Sequence, residues 1–501
     1  MSPDDRRFRL ALWGLTALAA VRYLGYAFFT PDDTYIYLRF ARNLLERGEA
    51  SFNPGEPTWG FTSVLWLLAI SALGAVLRDL PTAAKTLSLL ASLAVPATVA
   101  RLVERWSSSR RLALLAGLAM VAETWMARWS VSGLEAGLAA LLPVAVVLWS
   151  AEARAAGRVP WRAALVAGLA PFVRPEMIGL ALLFAAHGVL AESGPASRRL
   201  RRAAGPAALC LGTAGVGLFA LWLAFGRIVP NTAPAKGALE APLAALVPSL
   251  MRIGRILAST TAVELAILVA ALGIGIATGR RARWLPDGEG RLLALAWCLG
   301  LVGLYAVRGV TVYTRYLLPV IPLVVAGGFA ALVPLWRRGG RAQALGAALA
   351  GLAILPSIVL DAVVVRPATM TYQRSEEDAA GAIGRWLARN SAPDDVVAAW
   401  DIGAIGWYSR RRVLDLNALV SPELLEAKRR GTIWREIERR RPEWLVDVDP
   451  DPRRAERELR ALTPRLVMPR PFEKMFVLQD RTLWYTLWDL RPREEAGEDT
   501  R

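Results

Sequence analysis

Two adjacent carboxylates, Asp32 and Asp33, directly follow the first long apolar segment of the chain, which covers residues 10–29. A segment of this length crosses the ~30 Å hydrocarbon core of a bilayer as a helix. A carboxylate at the membrane edge is well placed to take the proton of an attacking hydroxyl group, the task of a general base. The stretch before the segment carries net positive charge, which favours the cytoplasm, so the acidic pair is predicted to face outward.

A simpler interpretation of the acidic pair is also open. After Pro31, Asp32 and Asp33 could merely stabilise the first turn of a helix through Tyr35 and Leu38, because carboxylates favour the amino-terminal end of a helix. The pair alone does not separate this role from a catalytic one.

The composition predicts a polytopic membrane protein. Of the 501 residues, 54% are hydrophobic, and through most of the first 365 positions they form long blocks rather than amphipathic stripes. The formal net charge is +17, and many arginines lie in short loops between these blocks, where they set topology and meet anionic lipid. This distribution favours membrane lipid over nucleic acid as the partner.

The rarest residue types narrow the chemistry. His187 is the only histidine, so a histidine dyad and a multi-histidine metal site are excluded. Cys210 and Cys298 lie in separate apolar blocks, which argues against a disulfide framework and against redox chemistry. Carboxylates remain as the available bases, and the sequence leaves open whether a divalent cation assists them.

Clustered arginines predict the topology. The loops at 198–202, 280–291 and 337–341 are predicted to be cytoplasmic, and the segments between them to face outward. Residues 63–80 would upset this alternation if they crossed, so we interpret them as an interfacial helix within a long outer loop over residues 30–81. About eleven transmembrane helices result, at residues 10–29, 84–103, 109–123, 133–150, 161–172, 176–191, 203–225, 261–278, 291–308, 316–336 and 342–361.

The composition changes after residue 365 to that of a small α/β domain. Alternating charged and apolar residues predict helices over 375–390 and 422–430. Short runs of β-forming residues predict strands at 396–400, 413–416, 444–448 and 483–487. The predicted division is therefore a transmembrane module at 1–365 and an extracytoplasmic domain at 366–501.

Short polar motifs recur on the predicted outer side. In the first outer loop they are Asp-Asp-Thr-Tyr-Ile at 32–36, Phe-Asn-Pro-Gly-Glu at 52–56 and Trp-Gly-Phe-Thr-Ser at 59–63. Farther along they are Ser-Gly-Leu-Glu at 132–135, Arg-Pro-Glu at 174–176, Pro-Asn-Thr at 230–232, Arg-Tyr-Leu-Leu-Pro at 315–319, Trp-Asp-Ile-Gly-Ala at 400–404 and Leu-Asp-Leu at 414–416.

The set of motifs resembles the GT-C superfamily of membrane glycosyltransferases that use polyprenyl-phosphate sugars. The first outer loop is especially similar to the mycobacterial-type arabinofuranosyltransferases and their bacterial relatives. In these, Asp-Asp-x-Tyr-Ile is followed by Phe-Asn-Pro-Gly-Glu and by Gly-aromatic-Thr-Ser-x-Leu-Trp. Phe61 and Val64 stand where those proteins usually have tyrosine and proline, which leaves the subfamily, and hence the sugar, open.

The resemblance implies a GT-C fold and an inverting, single-displacement transfer. The sugar would move from a polyprenyl-phosphate donor to a cell-envelope glycan or lipid acceptor on the outer face of the bacterial cytoplasmic membrane. Asp33 and Asp32 would supply the base and a group that orients the acceptor or a cation. The developing charge of the leaving phosphate needs cations, which we expect to be Arg174, Arg315 and Lys236. The remaining expected substrate-binding residues are Tyr35, Glu135, Glu176 and Asn231.

Structural roles remain open for several of these residues. Glu135 could be a helix-start charge favoured by the helix dipole. Arg174 and Glu176 could form a structural ion pair, and Arg315 could anchor a span at the headgroups. In the carboxy-terminal domain, Asp401 and Asp415 are expected to shape turns.

Two other functions also remain open. A transporter or flippase of a lipid-linked sugar would need many spans too, but it should keep ionisable groups near the membrane midplane and show an internal repeat. Here these groups gather at one rim and the two halves do not resemble each other. A non-catalytic relative that assembles cell-envelope enzymes is the third reading, which the intact acidic pair disfavours.

Overall fold

The computed structural model of the chain describes residues 2–191, 195–236, 242–277, 289–472 and 483–492. Up to residue 360 these residues are mostly helical. The helices are α1 Pro3–Leu24, α2 Asp32–Arg47, α3 Val64–Leu77, α4 Leu80–Ser107, α5 Arg110–Ala122, α6 Thr124–Trp129, α7 Ala136–Ala155, α8 Trp161–Leu169, α9 Ile178–Leu190, α10 Ala196–Phe225, α11 Thr232–Lys236, α12 Pro242–Ala277, α13 Arg291–Val307, α14 Thr314–Leu317, α15 Ile321–Ala331, α16 Val333–Arg338 and α17 Gly340–Leu360.

Within the described ranges, six helical segments are long and apolar enough to cross a membrane. They are Leu80–Ser107, Ala136–Ala155, Ala196–Phe225, Ala245–Gly275, Ile321–Arg338 and Gly340–Asn390. All eleven predicted spans fall largely on helices. The multi-pass helical class is therefore confirmed, whereas the number of crossings stays a prediction. The predicted interfacial segment forms the short apolar helix α3, and its position relative to the bilayer also stays a prediction.

Arg22, the only charged residue in the first apolar segment, forms an ion pair with a residue far away in the sequence. Its Nη2 lies 3.3 Å from the Oδ2 of Asp361, just beyond α17, and donates to the Ala122 carbonyl at 2.9 Å. The Tyr26 hydroxyl donates to Asp361 Oδ1 at 2.5 Å. Ionisable groups inside a helix bundle pair in this way, and the pair ties α1 to the end of α17.

Close packing positions the segment that carries Glu135. A Cβ on Gly137 of α7 would lie 2.1 Å from Ser92 Oγ of α4, so these helices approach closely only because residue 137 lacks a side chain. The Thr34 hydroxyl of α2 donates to the Ser132 carbonyl at 2.8 Å. Glu135 is thereby held between α4 and the helix that begins with the acidic pair.

One continuous helical run leads from the bundle into the carboxy-terminal domain. After α17 come a π-helical turn at Asp361–Val365, α18 at Arg366–Glu376, a second π-helical turn at Glu377–Gly381 and α19 at Ala382–Asn390. The run passes through residue 366, where the sequence predicts the domain boundary.

The carboxy-terminal domain is a sheet with helices around it. The strands are β1 Val396–Ala399, β2 Arg412–Asp415, β3 Trp444–Asp449, β4 Arg465–Phe472 and β5 Leu483–Asp489, and the helices are α20 Gly403–Ser409, α21 Leu425–Arg429, α22 Ile433–Arg440 and α23 Arg454–Glu458. The described strands lie in the order β2-β1-β3-β5-β4, with β1 parallel to β2 and β3, and β5 antiparallel to β3 and β4.

The four predicted strands are confirmed, and β4 is the strand that the sequence analysis missed. Pro469 and Pro471 interrupt it, and proline is tolerated in a sheet mainly at an edge, which is where β4 lies. Its residues, most of them exposed or half-exposed, gave no pattern of alternating polar and apolar positions.

Candidate active site

The acidic pair lies in the first turn of α2, and its first member contacts the carboxy-terminal domain. The Asp32 carboxylate accepts the backbone N–H groups of Gly403 at 3.0 Å and Ala404 at 2.7 Å. A Cβ on residue 403 would lie 2.0 Å from the Asp32 carbonyl oxygen, so only glycine permits this approach. Neither carboxylate caps α2 itself, which begins after Pro31 without a side-chain cap.

The surroundings of Asp32 favour its protonated form. Burial, followed by the neighbouring Asp401 carboxylate, raises the pKa of Asp32 to about 7, although the two backbone donors oppose this shift. Asp401 in turn accepts the Tyr485 hydroxyl at 2.6 Å. The Asp32 carboxylate thus links α2 to the sheet domain.

Asp33 projects to the other side, where it forms an ion pair with Arg315 of α14. The Arg315 guanidinium carbon lies 5.1 Å from the ring centre of Trp129 and 5.3 Å from that of Tyr316. Aromatic faces at these distances hold the cation while leaving its N–H edges available for anions. The pair joins a carboxylate suited to base chemistry with a cation suited to phosphate.

A second charged group adjoins the first. Arg174, which is buried, donates to Glu135 at 3.2 Å and to Glu176 at 2.6 Å, and the Tyr305 hydroxyl also donates to Glu176 at 2.6 Å. Arg174 is extended because proline follows it, and this break between α8 and α9 brings Arg174 and Glu176 together. The Arg174 guanidinium carbon lies 4.7 Å from the Tyr316 ring centre, so Tyr316 lies against both charged groups.

Both charged groups line one cavity of about 340 Å³ where the bundle meets the sheet domain. Five of the nine residues that the sequence analysis proposed are brought together here: Asp33, Glu135, Arg174, Glu176 and Arg315. The rest of the wall is largely apolar, with Ile36, Phe61, Leu134, Val229, Val310 and Leu419 among its residues. An apolar pocket with a few convergent charges is typical of a binding or catalytic site.

Three of the other four proposed residues, Asp32, Tyr35 and Asn231, are not among those that line the cavity. Asp32 and Tyr35 face the sheet domain, and the Tyr35 hydroxyl lies 3.4 Å from that of Tyr408. Asn231 fastens its segment to the first outer loop by donating its backbone N–H to the Trp59 carbonyl at 3.0 Å and its amide to Thr58 at 3.1 Å. Lys236 ends α11, and its side chain lies outside the described part of the structure.

Tyr305 and Arg308 are polar residues of the wall that the sequence analysis did not single out. They lie three positions apart at the end of α13 and so share one helix face. Arg308 donates to the Ala233 carbonyl at 3.1 Å and forms no ion pair with any described residue. An arginine three residues after a tyrosine, at the predicted outer end of a span, was the available signal.

The motif at 52–56, which suggested chemistry, instead joins the first outer loop to the sheet domain. The Asn53 amide donates to the Val413 carbonyl and accepts the Val413 N–H, both at 2.9 Å, as a neighbouring strand would. Arg39, which is buried, donates to the carbonyls of Phe52 at 2.6 Å, Gly406 at 2.5 Å and Arg411 at 2.6 Å. These bonds fix α2 against the domain.

No cluster of three or more histidine, cysteine, aspartate or glutamate side chains suitable for a metal ion occurs in the described ranges.

The expectation that Asp401 and Asp415 shape turns is confirmed for Asp415, whose carboxylate accepts the backbone N–H groups of Asn417, Leu419 and Val420.

Comparison with known structures identifies the architecture. The crystal structure of ArnT from Cupriavidus metallidurans bound to undecaprenyl phosphate superimposes with a TM-score of 0.56 and 14% identity, over 94% of this chain and 97% of that one. The chain has the GT-C fold. ArnT in the apo state gives a TM-score of 0.53 and 13% identity over the same shares of both chains.

Sequence comparisons add little beyond the GT-C fold. A family model described as a domain of unknown function, DUF8728, matches residues 368–491, which hold the sheet domain. None of the curated proteins matches the sequence. The likeness to ArnT shows the fold and does not extend to the arabinofuranosyltransferase subtype.

Proposed function

We propose that this protein is a membrane glycosyltransferase. It transfers a sugar from a polyprenyl-phosphate donor to a cell-envelope glycan or lipid acceptor on the outer face of the cytoplasmic membrane. The Asp33–Arg315 ion pair in the wall of the cavity carries the proposal, because it combines a base with a phosphate-binding cation. The fold of ArnT, solved with undecaprenyl phosphate, supports a polyprenyl-phosphate donor.

The donor phosphate is assigned to Arg315 and Arg308. Arg315 offers a planar fork that suits phosphate, and Arg308 lines the cavity without a carboxylate partner among the described residues. Arg174 already binds two carboxylates, so it is less available to the donor. Lys236 remains a predicted phosphate ligand because it follows the cavity-lining Thr232 and Ala233 on α11.

Binding of phosphate would prepare the base. A phosphate that draws the Arg315 guanidinium away from the Asp33 carboxylate makes that carboxylate a stronger base. The acceptor hydroxyl gives its proton to Asp33, and its oxygen attacks the anomeric carbon. The bond from that carbon to the phosphate oxygen breaks, and the lipid phosphate leaves with the electron pair, neutralised by the arginines. The product has inverted configuration.

The proposed relationship to the arabinofuranosyltransferases rests on the first outer loop. Its motifs at 32–36, 52–56 and 60–66 favour a relative of the arabinofuranosyltransferases. The motif at 52–56 fixes α2 against the sheet domain, so similarity there supports a shared architecture more than a shared sugar.

Lipid binding tests this proposal. Mass spectrometry of the protein purified with native lipid is expected to identify a polyprenyl phosphate or its sugar conjugate. Undecaprenyl phosphate added to delipidated protein should raise the unfolding temperature. A charge-assisted hydrogen bond contributes about 1.5–3 kcal/mol, so Arg308→Gln should weaken this binding about tenfold or more.

Arg460→Gln, which changes an exposed arginine of the sheet domain, is the matched control and should bind like wild type. Absence of a bound polyprenyl lipid, together with no stabilisation by undecaprenyl phosphate, would contradict the proposed donor.

A further inference from the structure

The sheet domain reaches into the cavity through one loop, residues 416–421, which we call the Leu419 loop. Leu419 is the residue of this loop that lines the cavity. The loop packs directly against Gly60, another residue of the cavity wall, since a Cβ on residue 60 would be 2.4 Å from Val420 Cγ1 and 2.9 Å from the Leu419 carbonyl oxygen. The cavity is therefore incomplete without the sheet domain.

Hydrogen bonds hold the Leu419 loop in a defined conformation. The buried Asp415 carboxylate accepts the N–H groups of Asn417 at 2.8 Å, Leu419 at 2.6 Å and Val420 at 2.8 Å. Ala418 has a φ of 60°, which a residue with a side chain adopts only when its surroundings hold it there. The Leu419 side chain is thus set in place by Asp415.

Lys428 connects the loop to α11, another element of the cavity wall. Its Nζ donates to the Asn417 carbonyl at 3.1 Å and to the Ala235 carbonyl of α11 at 3.2 Å. Thr232 and Ala233, on the same short helix, line the cavity. One ammonium group therefore ties the loop to α11.

The sheet topology supports a binding role for this edge. In open sheets with parallel strands, ligands bind in the loops beyond the carboxyl ends of those strands. Here the loop after β1 carries Gly403 and Ala404, which bind Asp32, and the loop after β2 is the Leu419 loop. Both loops meet the membrane module, so the sheet turns its binding edge toward the acidic pair.

We propose that the sheet domain selects the sugar, with Leu419 as the residue that contacts it and Asp415 and Lys428 as positioning residues. The proposal rests on the proposed function. The lipid chain of a donor must enter from the bilayer, whereas Leu419 comes from the domain beyond the bundle. The sugar must lie between the phosphate and Asp33, and Leu419 lines that same space. A cavity of about 340 Å³ is at the small end for ligand pockets, which suits a single sugar.

Competition binding with three probes tests the role of Leu419: undecaprenyl phosphate, undecaprenyl phosphate arabinose and undecaprenyl phosphate glucose. Each extra group in an apolar pocket changes affinity by roughly tenfold or more. Leu419→Ala should therefore raise the affinity for the hexose relative to the pentose by about tenfold, and Leu419→Trp should lower it. The affinity for undecaprenyl phosphate should change less than about twofold in both.

The controls separate selection from stability. Leu462→Ala removes the same atoms from a half-buried leucine that packs in the core of the same domain, and it should keep the wild-type ratio. Asp415→Asn should move the ratio toward that of Leu419→Ala, which a purely structural loss would not do.

The possible failures are distinguishable. If the wild type binds none of the three lipids, the proposed function fails and this inference with it. If it binds them and the Leu419 variants keep the wild-type ratio, or Leu462→Ala shifts the ratio equally, the inference alone is overturned.

Discussion

Asp32 and Asp33 are neighbours in sequence but project in different directions. Successive residues on a helix point about 100° apart, so two adjacent carboxylates reach two different environments. Asp32 binds the backbone of the sheet domain, whereas Asp33 meets Arg315 in the cavity. The sequence analysis could identify the pair but not its division of labour, because the partners Gly403 and Ala404 lie more than 370 residues away.

Arg174 is the second residue whose contacts define its role. We expect Arg174→Leu to lower the free energy of unfolding by about 3–5 kcal/mol, because it leaves the Glu135 and Glu176 carboxylates without their cation inside the protein. Chemical or thermal unfolding in detergent measures this. Arg101→Leu, which breaks the more exposed pair with Glu152, should cost less than about 1 kcal/mol. Equal losses in the two variants would contradict a buried structural role for Arg174.

The contact between α2 and α20 is predicted to depend on pH. The pKa of Asp32 is raised to about 7 in the folded protein, whereas an unfolded aspartate titrates near 4. The contribution of Asp32 to stability is therefore fully present below pH ~4 and is lost as the pH rises through about 7.

Unfolding temperatures of wild type and Asp32→Asn, measured from pH 4 to 8, test this pH dependence. Stability of the wild type should fall with rising pH by at most about 4 kcal/mol more than that of the variant. Asp415, whose pKa is raised to about 6 by burial, adds to the same trend, so the difference between the two proteins isolates Asp32. If the unfolding temperatures of wild type and Asp32→Asn change in parallel with pH, Asp32 does not titrate in the folded protein between pH 4 and 8.

The helices and most strands could be predicted because their signals are local. Long apolar blocks located the spans, and short β-forming runs located β1, β2, β3 and β5. The docking of the motif at 52–56 could not be predicted, since Asn53 completes the edge of β2, which lies 360 residues farther along the chain. Polar motifs in an outer loop have the same appearance whether they bind a substrate or another part of the protein.

Cysteine labelling tests whether α3 lies at the membrane interface, as the sequence predicts. Single cysteines at Arg47 and Arg78, two exposed positions on either side of α3, should label from the same side of the membrane if α3 is interfacial. The native Cys210 and Cys298 are free thiols and must first be replaced.

The measurement is the extent to which each cysteine reacts with an impermeant thiol reagent added to outside-out membranes. A cysteine that replaces Asp394 of the sheet domain should be labelled to the same extent as one that replaces Arg47. A cysteine that replaces Arg341 should not react with the reagent, because position 341 is predicted to be cytoplasmic. Labelling of Arg47 and Arg78 from opposite sides would mean that α3 crosses the bilayer.

The helical bundle, which has the GT-C fold, meets the sheet domain at one cavity. We propose that Asp33 is the base of a sugar transfer in this cavity. The most direct measurement is transfer by Asp33→Asn in lipid nanodiscs, using the donor lipid that copurifies with wild type and a cell-envelope acceptor fraction. We predict a loss of about 10²–10⁴ in rate, with donor binding retained and with the exposed variant Asp394→Asn unchanged. A loss of less than tenfold in Asp33→Asn, with wild type active, would contradict the account.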